Sequence, residues 1–553
     1  MAVRLKELTK ATVFMGVVFV VALGVACGGG ASRGPAIIVD SGADTDERDA
    51  VVTLREAILL AVGDLAVADL QPGEADNVSG APGPESADTI TFDTLVFLPS
   101  LPVTISLQGS LPSLAGGGDT IDASQAGVIV DGGDRSFECF SVDSAGNALK
   151  GLQIENCLRG VVLGSEAQGN TIGGEAPGEG NTISANEEGV LIVGAGSDGN
   201  TMKGNFIGTD AAGTEALGNS TGIEIGTGAQ GNVVGGTSPG ARNVISGNEI
   251  QGIIIRGRSN TVVGNYIGTD VTGKSSIPNG AEGIWLADDA QENTIGGATP
   301  AERNVISGNA LFGVNISGPR STGNAVKGNY IGVDATGEAA LRNTHGLIID
   351  GAQNSVIGGT APGEGNVISG NGSGVLIRGS EAAGNVLEGN YIGTDSNTNR
   401  PLGNALGVWI LKGAHHNVIG GQDAGDGNVI SFNDLQGLKV EGSGTVGNTI
   451  RGNSIHSNAD AAIENADGGN TELGPPALTS TSPVTGTACP NCIVDVYSDS
   501  EDEGKTYEGW TVAGEDGTFT LDKMVSGPHV TATATDTDGN TSKFSQSAQL
   551  GAQ

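Results

Sequence analysis

The chain has 553 residues, 95 of them glycine and only 3% aromatic, and a formal net charge of −37. That charge excludes the nucleic-acid binders, which need a basic surface for phosphate. Glycine without a three-residue period excludes collagen, a clear long repeat argues against general disorder, and the acid reads first as a solvated face.

Residues 1–27 read as an export signal. Arg4, Lys6 and Lys10 make a basic start, and Ala11 to Ala26 is an apolar run too short for a comfortable membrane span. The run ends in "LGVAC" and resembles a bacterial lipoprotein signal, with Cys27 as the residue to be lipidated. Ordinary signal cleavage is the alternative. Residues 28–36 then form a flexible tether.

Residues 37–126 are expected to cap a solenoid. In "TLREAILLA" the apolar Leu54, Ile58 and Ala61 share a helical face, which predicts a short helix over an open end. Arg55 and Glu56 are read as salt-bridge formers of that cap. Residues 63–87, rich in Pro, Gly and acid, are an inserted loop. Thr53 to Ile58 resembles the CSLREA motif of bacterial surface β-helix proteins, with Val52-Thr53 in place of Cys-Ser. "DTITFD" from Asp88 and "GVIVDG" from Gly127 follow in the same style.

Residues 127–470 carry the repeat. The Asn opening "N-x-I/V-G-G" stands at Asn170, Asn232, Asn293, Asn354 and Asn417, at steps of 62, 61, 61 and 63 residues. A finer beat of Gly-apolar-x-apolar starts at Gly160, Gly189, Gly222, Gly252, Gly283, Gly313, Gly346, Gly374, Gly407 and Gly437. Such self-similarity marks a solenoid. Each coil holds three short apolar pieces, such as "GIIIRG", "NTVVGN" and "NYIG", too short and too Gly-bounded for helices. Three strands per lap predict a parallel β-helix rising ~4.8 Å per coil, and ten coils a rod of roughly 50 Å. Ile172, Val234, Val262, Ile295, Val326, Val356 and Ile419 should point inward, and Thr171, Val233 and Ser355 outward. The recurrent Asn should stack from turn to turn as structural ladders. The right-handed sense is what the family resemblance implies.

The cysteines fit an exported chain. Cys139 and Cys157, 18 residues apart, are a disulfide or two free thiols. Cys489 and Cys492 in "CPNC" lack a second pair or a nearby His for zinc, and a local disulfide is expected. The repeat stops at a Pro/Thr/Ser-rich linker, 471–484. Residues 485–553 then alternate as short strands of a small β-sandwich. The ending "VTATATDTDGNTSKFS" resembles the Ig-like modules of bacterial surface proteins. The acidic "SDSEDEG" and "DTDG" are read as hairpin turns before calcium sites.

Parallel β-helices include polysaccharide lyases and hydrolases, a resemblance of architecture alone. Hydrolysis needs two facing carboxyl groups, and no catalytic set emerges here. The outward row of the first strand, Leu191, Glu224, Ile254, Trp285, Asn315, Ile348, Leu376, Trp409 and Lys439, is mostly apolar. Asp350 and Arg378 are expected to form a ladder salt bridge. Outward rings recur every second coil at Phe206, Tyr266, Tyr330 and Tyr391, alternating with Val244, Val305, Val367 and Val429. With Trp285 and Trp409 they are the candidate glycan-stacking residues. The competing reading folds loops such as "TDAAGTEALGN" back over the four-ring stripe, capped by Asp210, Asp270, Asp334 and Asp395. The chain is thus read as all-β: a right-handed parallel β-helix with an N-terminal cap and a C-terminal β-sandwich. Its expected function is a non-catalytic, exported cell-surface rod, an adhesin or glycan binder. A polysaccharide lyase or hydrolase and a surface-layer spacer are the alternatives. Expected partners are extracellular polysaccharide or a host or neighbouring cell surface, with the membrane met only through the lipid anchor and no nucleic acid. No metal site or cofactor is assigned, and calcium is left open.

Overall fold

The computed structural model describes residues 34–501 and 503–549. The expected export signal, Cys27 and most of the expected tether lie outside the described residues. Within them, three long sheets of fifteen, thirteen and twelve strands run side by side, and successive laps of the chain visit each in turn. Apart from one antiparallel edge strand, Val78–Ser79, every pairing in these sheets is parallel. In the twelve-stranded sheet the register passes from lap to lap without a slip. Val161 aligns with Val190, Ile223, Ile253, Ile284, Val314, Leu347, Val375, Val408 and Leu438. This is a right-handed parallel β-helix, wound in the sense that connections between parallel neighbours of a twisted sheet take.

The sequence closes each lap with few residue types. β-Branched aliphatics such as Ile207, Ile245, Ile267, Ile306 and Ile331 stack inward, fully buried. The corners are held by asparagines in three buried ladders, one of them interrupted at a single lap. In each, a carboxamide oxygen accepts both the backbone and the side-chain N–H of the Asn one lap earlier. For Asn293 these bonds come from Asn260 at 2.9 and 3.1 Å. Its own amide donates to Asn324 Oδ1 and to the Gly257 carbonyl, each at 3.0 Å. Glycine follows because the corner leaves no room. A Cβ on Gly296, at φ +83°, would lie 2.1 Å from the Lys327 carbonyl oxygen.

The ladder corrects one register. Ser355, not Asn354, occupies the Asn position of its lap, where it is buried and its N–H donates to Asn385 Oδ1 at 2.9 Å. Val356 therefore pairs with outward Ala325, and Ile357 with inward Val326, one residue later than the repeat suggested. Asn354 instead takes a left-handed turn at φ 51°.

At its first laps the same ladder is built from acid. Asp119 Oδ1 accepts the Asp88 N–H at 3.0 Å, and the Asp119 N–H donates to Asn147 Oδ1. Asp119 Oδ2 is buried without a hydrogen-bond partner among the described residues, and burial pushes this carboxyl up to about 6. Between its ordinary value of 3.8 and about 6 the folded chain keeps a proton that the unfolded chain has released. Stability therefore falls as pH rises through that window and levels off above it. Asp119→Asn should abolish this slope and stabilise the protein at pH 7 by up to roughly 3 kcal/mol. Urea midpoints of both chains below and above the window check it.

The parallel stack begins earlier than residue 127. Ala36–Val39 pairs in parallel with Thr89–Phe92, and that strand with Thr120–Asp122, so much of the expected cap is already solenoid. The helix forms at Leu54–Val62, started by a Thr53–Glu56 capping box and stopped by Gly63 in the left-handed region. Its Leu54, Ala57, Ile58 and Ala61 join the solenoid core. Arg55 and Glu56 do not pair with each other: Arg55 bonds Asp44, and Glu56 receives Arg48, each at 2.8 Å. Cys139 and Cys157 are joined as a disulfide between neighbouring laps, and Cys489 and Cys492 as a local one.

At the other end, Ala477–Thr481 is a strand rather than linker, and pairs with Val484–Thr487 in a three-stranded sheet. A second, four-stranded antiparallel sheet completes a small module. The module is docked on the last lap. The Arg451 guanidinium makes a two-pronged ion pair with Asp495 at 2.6 and 2.7 Å, and Asp495 is fully buried. Tyr507 Oη donates to the same carboxylate, and the Gly452 N–H donates to the buried Tyr497 Oη.

Candidate functional site: the outer face of the twelve-stranded sheet

Strand residues two apart share a face, so each lap adds one side chain to each outer row. The middle row reads Ile254, Trp285, Asn315, Ile348, Leu376, Trp409 and Lys439 from strand to strand. One flank carries Glu282, Phe312, His345, Ser373 and Leu406. The other carries Ser317, Asp350, Arg378, Leu411 and Glu441. The two tryptophans are four strand steps apart, roughly 19 Å.

Each indole is fixed by its N–H. Trp285 donates to Ser317 Oγ at 2.7 Å, and Trp409 to Glu441 Oε2 at 3.0 Å. Between them Ile348 and Leu376 face outward yet are 1% and 5% exposed. They lie between the Phe312–His345 ring stack on one side and the Asp350–Arg378 ion pair, 2.7 Å, on the other. That ion pair is the ladder salt bridge anticipated from the repeat. His345 Nδ1 sits 2.6 Å from Ser373 Oγ. Burial, and then the charges of Arg378 and Arg342, push the His345 pKa down, which favours a neutral ring. Beside Trp409, a groove of about 430 Å³ is lined by His345, Ser373, Leu406, Leu435 and Lys439.

The same face holds two unmatched acceptors. Glu282 Oε2 and Asn315 Oδ1 are buried with no hydrogen-bond partner among the described residues, although Asn315 Nδ2 does reach Glu282 Oε1 at 3.3 Å. Leaving such oxygens dry is costly. The carboxylates on the other flank are already engaged, Asp350 by Arg378 and Glu441 by Lys439.

The four-ring stripe is not an open platform. Phe206, Tyr266, Tyr330 and Tyr391 do alternate with valines on the thirteen-stranded sheet. Long loops lie over Phe206, Tyr266 and Tyr330, in line with the competing reading, while Tyr391 packs beside them and borders a groove. Gly337 lies so close over Tyr330 that a Cβ would be 2.8 Å from the ring, and Gly213 and Gly273 sit likewise over Phe206 and Tyr266. Tyr330 is buried with Val305, Val333 and Val367, with Tyr266 and Tyr391 packed alongside. The loops stack on one another through Val271 N–H to Gly213 O and Ala335 N–H to Gly273 O. Asp210, Asp270, Asp334 and Asp395 cap them by accepting their own loops' backbone N–H groups. Trp285 and Trp409 stand apart from this stripe, partly exposed on the outer row of the twelve-stranded sheet. Among the described residues no group of three or more His, Cys, Asp or Glu is placed to hold a metal ion, and no helix is long and apolar enough to cross a membrane.

No family model and no curated protein matches the chain, so the CSLREA resemblance rests on Thr53 to Ile58 and its neighbours alone. Among solved structures it is similar to the tailspike protein of Escherichia coli bacteriophage HK620 in complex with pentasaccharide. There the identity is 12% over 81% of this chain and 79% of that one, with TM-score 0.31. It is also similar to full-length tailspike protein 2 from Escherichia coli O157:H7 bacteriophage CAB120, at 11% identity over 84% of this chain, 65% of that one, and TM-score 0.26. A third is the alginate lyase from Paenibacillus sp. str. FPU-7, at 14% identity, 63% and 97% coverage, and TM-score 0.21. The chain thus spans just under two thirds of that full-length tailspike. At these identities and scores the likenesses carry no argument about function, and the fold rests on the strand register above.

Proposed function

We propose that the protein is a non-catalytic glycan-binding rod of the adhesin class, exported and held at a cell surface through a lipid on Cys27. It grips an extended polysaccharide along the outer face of the twelve-stranded sheet. One observation carries the reading: two indoles, each fixed by its N–H, stand four strand steps apart on one outer row, with a groove beside Trp409. The C–H faces of sugar rings stack on indole, and their hydroxyls bond the polar groups that line the groove, Ser373 and Lys439. The disulfides accord with an oxidising compartment.

The test is binding of the chain to a panel of insoluble and soluble polysaccharides, with new reducing or unsaturated ends read in parallel. Binding without new ends is expected, and Trp409→Ala should weaken it about tenfold, roughly 1.4 kcal/mol. New ends would overturn the non-catalytic reading and turn attention to a lyase or hydrolase. Absence of binding to every glycan would leave a spacer.

A further inference from the structure

We propose a second glycan contact on a different face: Arg242 and Arg303 form a two-step anion ladder that binds an acidic polysaccharide lying along the rod axis. The two arginines are equivalents in the long repeat. Each precedes a ladder asparagine, Asn243 or Asn304, and each guanidinium lies over the tyrosine of the following lap. Arg242 is 4.1 Å from the Tyr266 ring centroid, and Arg303 4.1 Å from that of Tyr330. In each, Nε donates to a carbonyl, Gly264 O at 3.1 Å and Gly328 O at 3.0 Å, which fixes the plane of the group. Nε is thereby spent and the two terminal nitrogens of each fork are left for a ligand. A stacked, pinned guanidinium is pre-organised for an oxyanion.

Among the described residues neither arginine lies in an ion pair, although the chain carries −37. Other basic residues nearby are neutralised, Lys203 by Glu175 and Lys327 by Glu364. Each arginine instead edges a groove, of about 570 Å³ at Arg242 and about 410 Å³ at Arg303. The second groove is walled by Tyr330, Tyr391 and the Gly359–Gly363 turn and has no carboxylate in its lining. The strands that follow the two arginines, Val244–Ile245 and Val305–Ile306, are two pairings apart, roughly 10 Å. An extended pyranose chain advances about one ring per lap, so the spacing suits an anionic group on alternate sugars. The ligand chemistry is a carboxylate or sulfate on a linear glycan. The surrounding acid makes the contact local, and selective for chains that put charge at both grooves. This contact does not rest on the tryptophan face.

The test uses calorimetric titration of the full chain with polygalacturonate, dextran sulfate and neutral dextran, in wild type, R242Q/R303Q, each single variant, and R258Q/R320Q, which removes two exposed arginines that line neither groove. One or both polyanions should bind in a salt-sensitive way, dextran at this face should not, and the comparison of the two polyanions separates carboxylate from sulfate. R242Q/R303Q should lose at least about tenfold in affinity and each single variant an intermediate amount, while R258Q/R320Q keeps it. Unchanged affinity in R242Q/R303Q, no polyanion binding at all, or an equal loss in R258Q/R320Q would overturn the proposal.

Discussion

Replacing one ladder asparagine, Asn293→Ala, is expected to cost roughly 3–5 kcal/mol, although no charge is removed and the side chain is small. The reason lies in the neighbours. Asn293 is fully buried, and its oxygen accepts two donors from Asn260 while its amide serves Asn324 and the Gly257 carbonyl. Truncation strands the Asn260 donors and the Gly257 acceptor in a dry interior, each worth about 1–3 kcal/mol. The natural interruption at Ser355 sets up the reciprocal case. Ser355→Asn would put a carboxamide between Asn324 and Asn385 and should gain about 1 kcal/mol. Denaturant midpoints of the two variants decide the matter. A loss under 1 kcal/mol for Asn293→Ala would show that the corners relax or hydrate.

The second large effect is Arg451→Ala. It leaves Asp495, fully buried, with the Tyr507 hydroxyl as its remaining side-chain donor, and breaking a buried pair from one side costs about 3–5 kcal/mol. The loss should fall on the docking of the C-terminal module rather than on the solenoid, so limited proteolysis should cut near residues 471–476 before the laps open. The double variant Arg451→Met/Asp495→Leu should lose far less than the two single changes summed, because no charge is left behind. Additive losses would mean that the pair is not the anchor.

Much of the fold was legible because a lap needs so few residue types. Glycine, an aliphatic every second residue and a corner asparagine recur often enough to reveal strand number and facing. The slip at Ser355 escaped because Asn354 stands one place away and imitates the motif. The aromatic stripe left two readings open for a related reason: alternation with valine marks an outer row, but says nothing of a loop that returns over it. Glu282, Phe312 and His345 were missed although their signal was present, the residue just before each strand glycine. Arg451 and Asp495 gave none, being 44 residues apart in two modules, where single charges read as surface.

The hydrogen bonds between laps run along the rod, while the covalent chain runs across it. A pull from one end to the other therefore loads those bonds in tension, one row at a time, so that the rod would peel like a zip instead of resisting in shear. The asparagine corners add tie-points to each row, and the Cys139–Cys157 link stitches two early laps covalently. Force arriving from the docked end would meet the Arg451–Asp495 clasp before it reached any lap, and would be taken up first by release of that module while the laps stayed wound.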